Sequence, residues 1–291
     1  MDGIIVINKP KNCTSHDIVY KVKKLFNEKV GHTGTLDPMA TGVLPLLIGK
    51  GTLCSKYLIN HDKIYEVQLK LGKKTDTADS EGKIIEQKDV PEKSLNKENI
   101  EKVFKQFLGK QKQIPPMYSA IKVKGKKLYE YARKGEKVEI KPRDIEIYKM
   151  ELLDVDTGKN TICFRVACSK GTYIRSLCEY IAVKLETVGY MAELNRIQVG
   201  EFNISKAISI QELEDLYKNN FGEIKKRIIS VEEIFKENES IKLDNRKLEL
   251  FLNGVKLTNN QIDGVYRVYC DEKFIGTGIV EKGRVKRDII T

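Results

Sequence analysis

Residues 31 to 45, Gly-His-Thr-Gly-Thr-Leu-Asp-Pro-Met-Ala-Thr-Gly-Val-Leu-Pro, restrict the fold more than any other segment. Three glycines and two prolines in fifteen residues permit tight turns and close backbone approach, but no long regular element. Pro38 steers Asp37 away from the right-handed helical region, so its carboxylate sits on extended or turn backbone. With His32 five residues earlier, the segment either holds a reactive acid still or is a glycine-rich turn with Asp37 as a helix cap. Spacing alone leaves both open. A phosphate loop ending at Gly49-Lys50 would need glycine at 44 and a hydroxyl residue at 51, where the chain has Leu44 and Gly51. No G-x-G-x-x-G stands at this junction either, which argues against a dinucleotide-binding fold.

Around this loop the periodicity alternates. Gly3 to Asn8 reads as a short strand, and Ser15 as the cap of a helix with Ile18, Val19, Val22, Leu25 and Phe26 on its apolar face. Ile64 to Leu71 puts Tyr65, Val67, Leu69 and Leu71 on one face and Glu66, Gln68 and Lys70 on the other, a half-buried strand. Glu98 to Leu108 predicts a helix closed by Gly109. Thr161 to Cys168 predicts a strand, followed by a turn at 169–172 and a helix carrying Ile174, Leu177, Ile181 and Leu185. Ser230 with Glu233 forms a capping-box pattern before a short helix. After about Lys236 come a helix ending near Asn253-Gly254 and short strands at 265–270, 274–280 and 284–290. The expected fold is α+β: a mixed or antiparallel central sheet flanked by helices over residues 1–236, with a β-rich module at 237–291.

Charge narrows the partner. The 291 residues carry a net +11, and Lys110 to Lys149 holds twelve basic against five acidic residues, +7 of that surplus. Interleaved Tyr118, Tyr129, Tyr131 and Tyr148 suit a polyanion with stacking bases, although the same run could be a solvated face. The longest apolar stretches, Ile4 to Ile7 and Val43 to Ile48, are too short to span a bilayer. Asp2 stands where a signal peptide would carry positive charge, so a cytoplasmic protein with no membrane association is expected. Six cysteines without a C-x-x-C pair, and three histidines, read as reduced thiols rather than a zinc site.

The stretch GHTGTLDPMATGVLPLLIG closely resembles the catalytic motif of the TruB-type tRNA pseudouridine synthases, which isomerise uridine 55 in the T loop. The resemblance runs on through Asn8-Lys9-Pro10 with Thr14-Ser15-His16-Asp17, Asp62-Lys63-Ile64-Tyr65, Ile114-Pro115-Pro116-Met117-Tyr118-Ser119-Ala120, and Cys168-Ser169-Lys170-Gly171-Thr172-Tyr173-Ile174-Arg175-Ser176-Leu177. It implies that Asp37 is the catalytic aspartate, that Arg175 pairs with it, and that Tyr65 stacks on the target base. By the same resemblance His32 is wedged where the base leaves the loop, Leu194 lines the pocket, and Lys9, Lys124, Lys126 and Lys127 contact RNA. It further implies a thumb-like insertion at about 112–146, a C-terminal PUA-type RNA-binding module and no cofactor or metal. The expected partner is the T arm of tRNA, met by a monomer without an obligatory protein partner. Guide-RNA-dependent relatives share the motif but have longer terminal extensions than the Met1–Gly3 lead here. The alternative is a non-catalytic tRNA-binding or tRNA-folding module on the same surface. Two departures stand out: Asn12 replaces a common glycine, and Leu53 replaces a common lysine.

Overall fold

The computed structural model describes residues 1–136 and 138–291, so Lys137 of the basic block lies outside the described residues. Among the described residues nine strands join in one mixed sheet. Its main path runs Gly3–Lys9, Thr41–Ile48, Gly189–Val199, Lys63–Leu71, Thr161–Cys168, Arg143–Asp156 and Gly109–Gln113. The pairing of Thr41–Ile48 with Gly189–Val199 is parallel, with Arg196 opposite Gly42. A side chain at 42 would meet the Arg196 carbonyl oxygen at 2.2 Å, and φ is +106°, so only glycine lets these strands meet.

Lys63–Leu71 alternates as its sequence pattern requires, with Tyr65, Val67, Leu69 and Leu71 buried. That face packs on the helices Lys97–Lys105 and Ile174–Lys184. The helices Ser15–Phe26 and Ile210–Asn219 cover the Gly3–Lys9 and Thr41–Ile48 end. No helix among the described residues is long and apolar enough to cross a membrane.

The chain after residue 239 forms a five-stranded sheet ordered Ser240–Leu243, Gly264–Cys270, Lys273–Glu281, Arg284–Ile290 and Leu257–Thr258, closed over Phe251 and Val268. It is docked on the main sheet: Ile289, Val265 and Phe274 pack in a cluster with Ile4, Val6 and Leu47. Asp288 accepts hydrogen bonds from the Tyr57 hydroxyl at 2.6 Å and the Thr277 hydroxyl at 3.1 Å, and also pairs with Lys56.

Local expectations need adjusting at two helix ends. Thr14, not Ser15, caps the first helix, its hydroxyl accepting from Asp17 N at 3.1 Å while Asp17 returns a bond to Thr14 N. The helix at 97 stops at Lys105, and Gly109 (φ +87°) instead opens a strand, because pairing with Arg143–Asp156 claims the backbone from Gly109 onward. In the insertion, Lys122–Val123 and Lys126–Lys127 form a hairpin. Lys124 (φ +50°) and Gly125 (φ +83°) make its two-residue turn, the left-handed pair such turns demand.

Candidate active site

Asp37 sits in the connection between the Val30–His32 and Thr41–Ile48 strands, which pair antiparallel. Leu36, Met39 and Ala40 are buried in the main core and pull the flanks of Asp37 inward, while its own side chain stays 33% exposed. Three neighbours fix the backbone. The Ser15 hydroxyl donates to Leu36 O at 3.1 Å and accepts from Leu36 N at 2.8 Å. Asn12, in the left-handed conformation at φ +64°, donates its N–H to Pro38 O at 3.0 Å, so asparagine serves at this turn. Arg196 donates to Gly34 O at 3.0 Å, Thr35 O at 3.3 Å and Val43 O at 2.8 Å.

Arg175 reaches Asp37 from the first turn of the Ile174–Lys184 helix. Its Nε lies 3.2 Å from Asp37 Oδ2 and its Nη2 3.4 Å from Oδ1, a two-pronged contact that sets the plane of the carboxylate. The remaining donors go to Tyr118 O at 2.9 Å, Thr77 O at 3.3 Å and the buried Asp79 carboxylate at 3.5 Å. Asp79 is itself held by the Thr77 hydroxyl at 2.6 Å and Glu81 N at 3.1 Å. The helix start is tied to the root of the insertion: Gln113 bonds both backbone groups of Tyr173, at 2.8 and 3.0 Å, and the Ser176 hydroxyl donates to Ile114 O at 3.1 Å. Burial raises the Asp37 pKa, Arg175 is the largest opposing influence, and Asp79 adds to the rise.

Asp37, Tyr65, Arg175, Leu194 and Arg196 line one cavity of about 750 Å³, with Lys63 in its wall and Tyr129, Arg143 and Lys170 also lining it. Tyr65 is 8% exposed. Burial pushes its phenol up to about 12, so it keeps its proton at neutral pH. Cross-strand pairing puts Arg196 beside Tyr65, so the guanidinium and the phenol share one side of the sheet. Leu194, two residues before Arg196, shares its side of the strand.

His32 stands at the end of its strand, half-buried, with Nδ1 accepting from Gly34 N at 3.2 Å. Burial lowers its pKa, with Arg196 and His16 adding to the fall, so the neutral ring is favoured. Lys124 and Lys126 are exposed on the hairpin, apart from the cavity lining, while Lys127 Nζ lies 3.3 Å from the hydroxyl of Tyr129, which does line it. Leu53 is surface-exposed. Lys9 overturns its expectation as an RNA contact. It is 0% exposed, and its ammonium is spent on Pro10 O and Cys13 O, both at 2.8 Å, and Pro38 O at 3.2 Å. It braces the Asp37 loop. Tyr118, expected among the tyrosines of the basic block, serves through its backbone carbonyl, whereas Arg196 and Asp79 were not among the residues expected from sequence. Only Arg196 carried a signal there, its two-residue spacing from Leu194 on a strand.

Comparison with known proteins places this arrangement among relatives. A model described as TruB family pseudouridylate synthase (N terminal domain) matches residues 22–174, and one described as tRNA pseudouridylate synthase B C-terminal domain matches residues 175–236. The tRNA pseudouridine synthase B of Francisella philomiragia is 43% identical over 288 residues, covering 98% of this chain and 93% of that one. That of Caldanaerobacter subterraneus is 41% identical over 290 residues, covering 98% of each. A solved Cbf5-Nop10-Gar1 complex contains a chain that superposes with a TM-score of 0.71 at 25% identity, covering 99% of this chain and 84% of that one.

Proposed function

Since the chain belongs to the TruB family of pseudouridylate synthases and is a tRNA pseudouridine synthase, we propose that its cavity receives uridine 55 of the T loop and that Asp37 acts there on the sugar. The observation that carries this reading is the Asp37 carboxylate, oriented by Arg175 at 3.2 Å beside a 750 Å³ cavity lined also by Tyr65. Isomerisation breaks the N1–C1′ bond, turns the base and joins C5 to C1′, with the C5 proton lost and a proton gained at N1. A folded loop hides that bond, so the nucleotide is extruded at a cost of about a few kcal/mol. Stacking on Tyr65, of order 1–3 kcal/mol, offsets much of that cost, and His32 occupies the vacated place.

Asp37 must be ionised to attack C1′ or to stabilise an oxocarbenium-like sugar, as carboxylates do in glycoside hydrolysis. Burial opposes that charge and Arg175 restores it. The reaction consumes no water, reductant or energy donor. The basic insertion, about 112–146, closes on the T arm through phosphate contacts, and residues 237–291 add a PUA-type RNA-binding surface. The enzyme works as a monomer on tRNA alone. The test is Asp37→Asn on an unmodified T-arm stem-loop: pseudouridine formation at position 55 is lost and RNA affinity stays within about threefold. Full activity of that variant, or modification elsewhere by the wild type, would overturn the reading. Activity of the purified chain on bare transcript checks its independence from protein partners.

A further inference from the structure

Arg196 is the largest wholly buried side chain among the described residues, at 1% exposure. Guanidinium ions in protein interiors are ordinarily matched by a carboxylate. Here none lies within 4.0 Å among the described residues. Burial lowers the Arg196 pKa, with Tyr65 the largest opposing influence and Asp37 contributing from further off. A cation kept dry without an anion calls for an explanation beyond filling space.

Its partners supply one. The three carbonyls it binds belong to Gly34 and Thr35, before Asp37, and to Val43, after it. One rigid side chain therefore spans the loop from both ends. Its cross-strand neighbour is Tyr65, and the two side chains line the same cavity. Guanidinium has five donors and no acceptor, so toward Arg196 the phenol can present only its oxygen. The phenol proton is then free to turn away from Arg196, toward the cavity that both residues line. An aliphatic side chain could fill the volume, but it could neither close the loop nor set the phenol.

We propose that Arg196 is a positioning residue of the isomerisation, clipping the Asp37 loop shut and turning the Tyr65 hydroxyl proton toward the bound base. This rests on the reading of the cavity as the seat of an extruded uridine.

The experiment measures single-turnover rate and RNA dissociation constant for Arg196→Lys, Arg196→Gln, Tyr65→Phe and the Arg196→Lys/Tyr65→Phe pair, with wild type alongside. The expected result is a rate loss of about thirtyfold or more for each Arg196 variant, with RNA affinity within about threefold. In the Tyr65→Phe background the Arg196→Lys loss shrinks by at least about threefold, since the hydroxyl it serves is gone. Amide hydrogen exchange over residues 33–44 speeds up in the Arg196 variants and not in Tyr65→Phe. Additive losses, an unchanged rate, or affinity falling as far as the rate would overturn the proposal. Should neither Arg196 variant fold, Tyr65→Phe decides: a rate at least about tenfold lower at unchanged affinity supports it, and a wild-type rate overturns it. A wild type inactive on every tRNA would sink the functional reading, and the exchange measurement alone would then judge the clip.

Discussion

The Asp37 carboxylate and the Arg175 guanidinium meet through two nitrogens, Nε 3.2 Å from Oδ2 and Nη2 3.4 Å from Oδ1. The same Nη2 sits closer to Tyr118 O, at 2.9 Å, so the insertion root and the acid share one donor. Arg175 thus joins the loop bearing Asp37 to the segment expected to grip RNA.

Replacing this fork by a point charge tests it. Burial raises the Asp37 pKa and Arg175 counters it, so weakening the pair lets the pKa climb further. Activity needs the ionised carboxylate, and the acid limb of the rate–pH profile should therefore move to higher pH in Arg175→Lys. We expect a rate loss of about a hundredfold at pH 7, partly recovered on raising the pH, measured by single-turnover assays from pH 5 to 9.

Lys9 makes a contrasting prediction. Its ammonium satisfies three carbonyls around the Asp37 loop and is 0% exposed, so Lys9→Met leaves those oxygens unpaired. Urea unfolding should show a loss of about 2–3 kcal/mol, while the salt dependence of tRNA binding keeps its slope.

The hairpin lysines should behave the other way. Lys124→Ala, Lys126→Ala and Lys127→Ala together should weaken tRNA binding and flatten the plot of log affinity against log salt by about two to three units, without loss of stability. An unchanged slope in a filter-binding titration would remove the insertion from the RNA interface.

Asp288 tests the seating of the C-terminal sheet. Asp288→Ala strips Tyr57, Thr277 and Lys56 of a common acceptor. The expected cost is about 1–3 kcal/mol, seen as faster amide exchange in residues 55–58 and 284–290, with the rate on an isolated T-arm stem-loop unchanged.

What the sequence reveals here follows the range of the forces involved. The Lys63–Leu71 strand is legible because alternation is local, and the C-terminal strands because their turns are. The Asp37 loop is legible because glycine and proline act on their own residues and neighbours. The cap misassigned to Ser15 shows the limit: Thr14 and Ser15 are both good caps, and only Leu36, twenty-one residues away, decides that Ser15 is used elsewhere. Lys9 in a basic chain reads as a surface charge, and the carbonyl of Pro38 that helps bury it is twenty-nine residues off. Arg196 and Asp79 join the site through pairings of over ninety residues' separation, which no local pattern encodes.

The cluster that unites Ile4, Val6 and Leu47 with Ile289 has a bearing on biosynthesis. The amino-terminal strand cannot gain its full apolar cover until the final strand has left the ribosome, long after the residues around it are made. Nascent chains stalled or truncated in the last fifty residues would display that greasy edge to chaperones and proteases. Quality control would therefore sense a missing tail at the opposite end of the polypeptide.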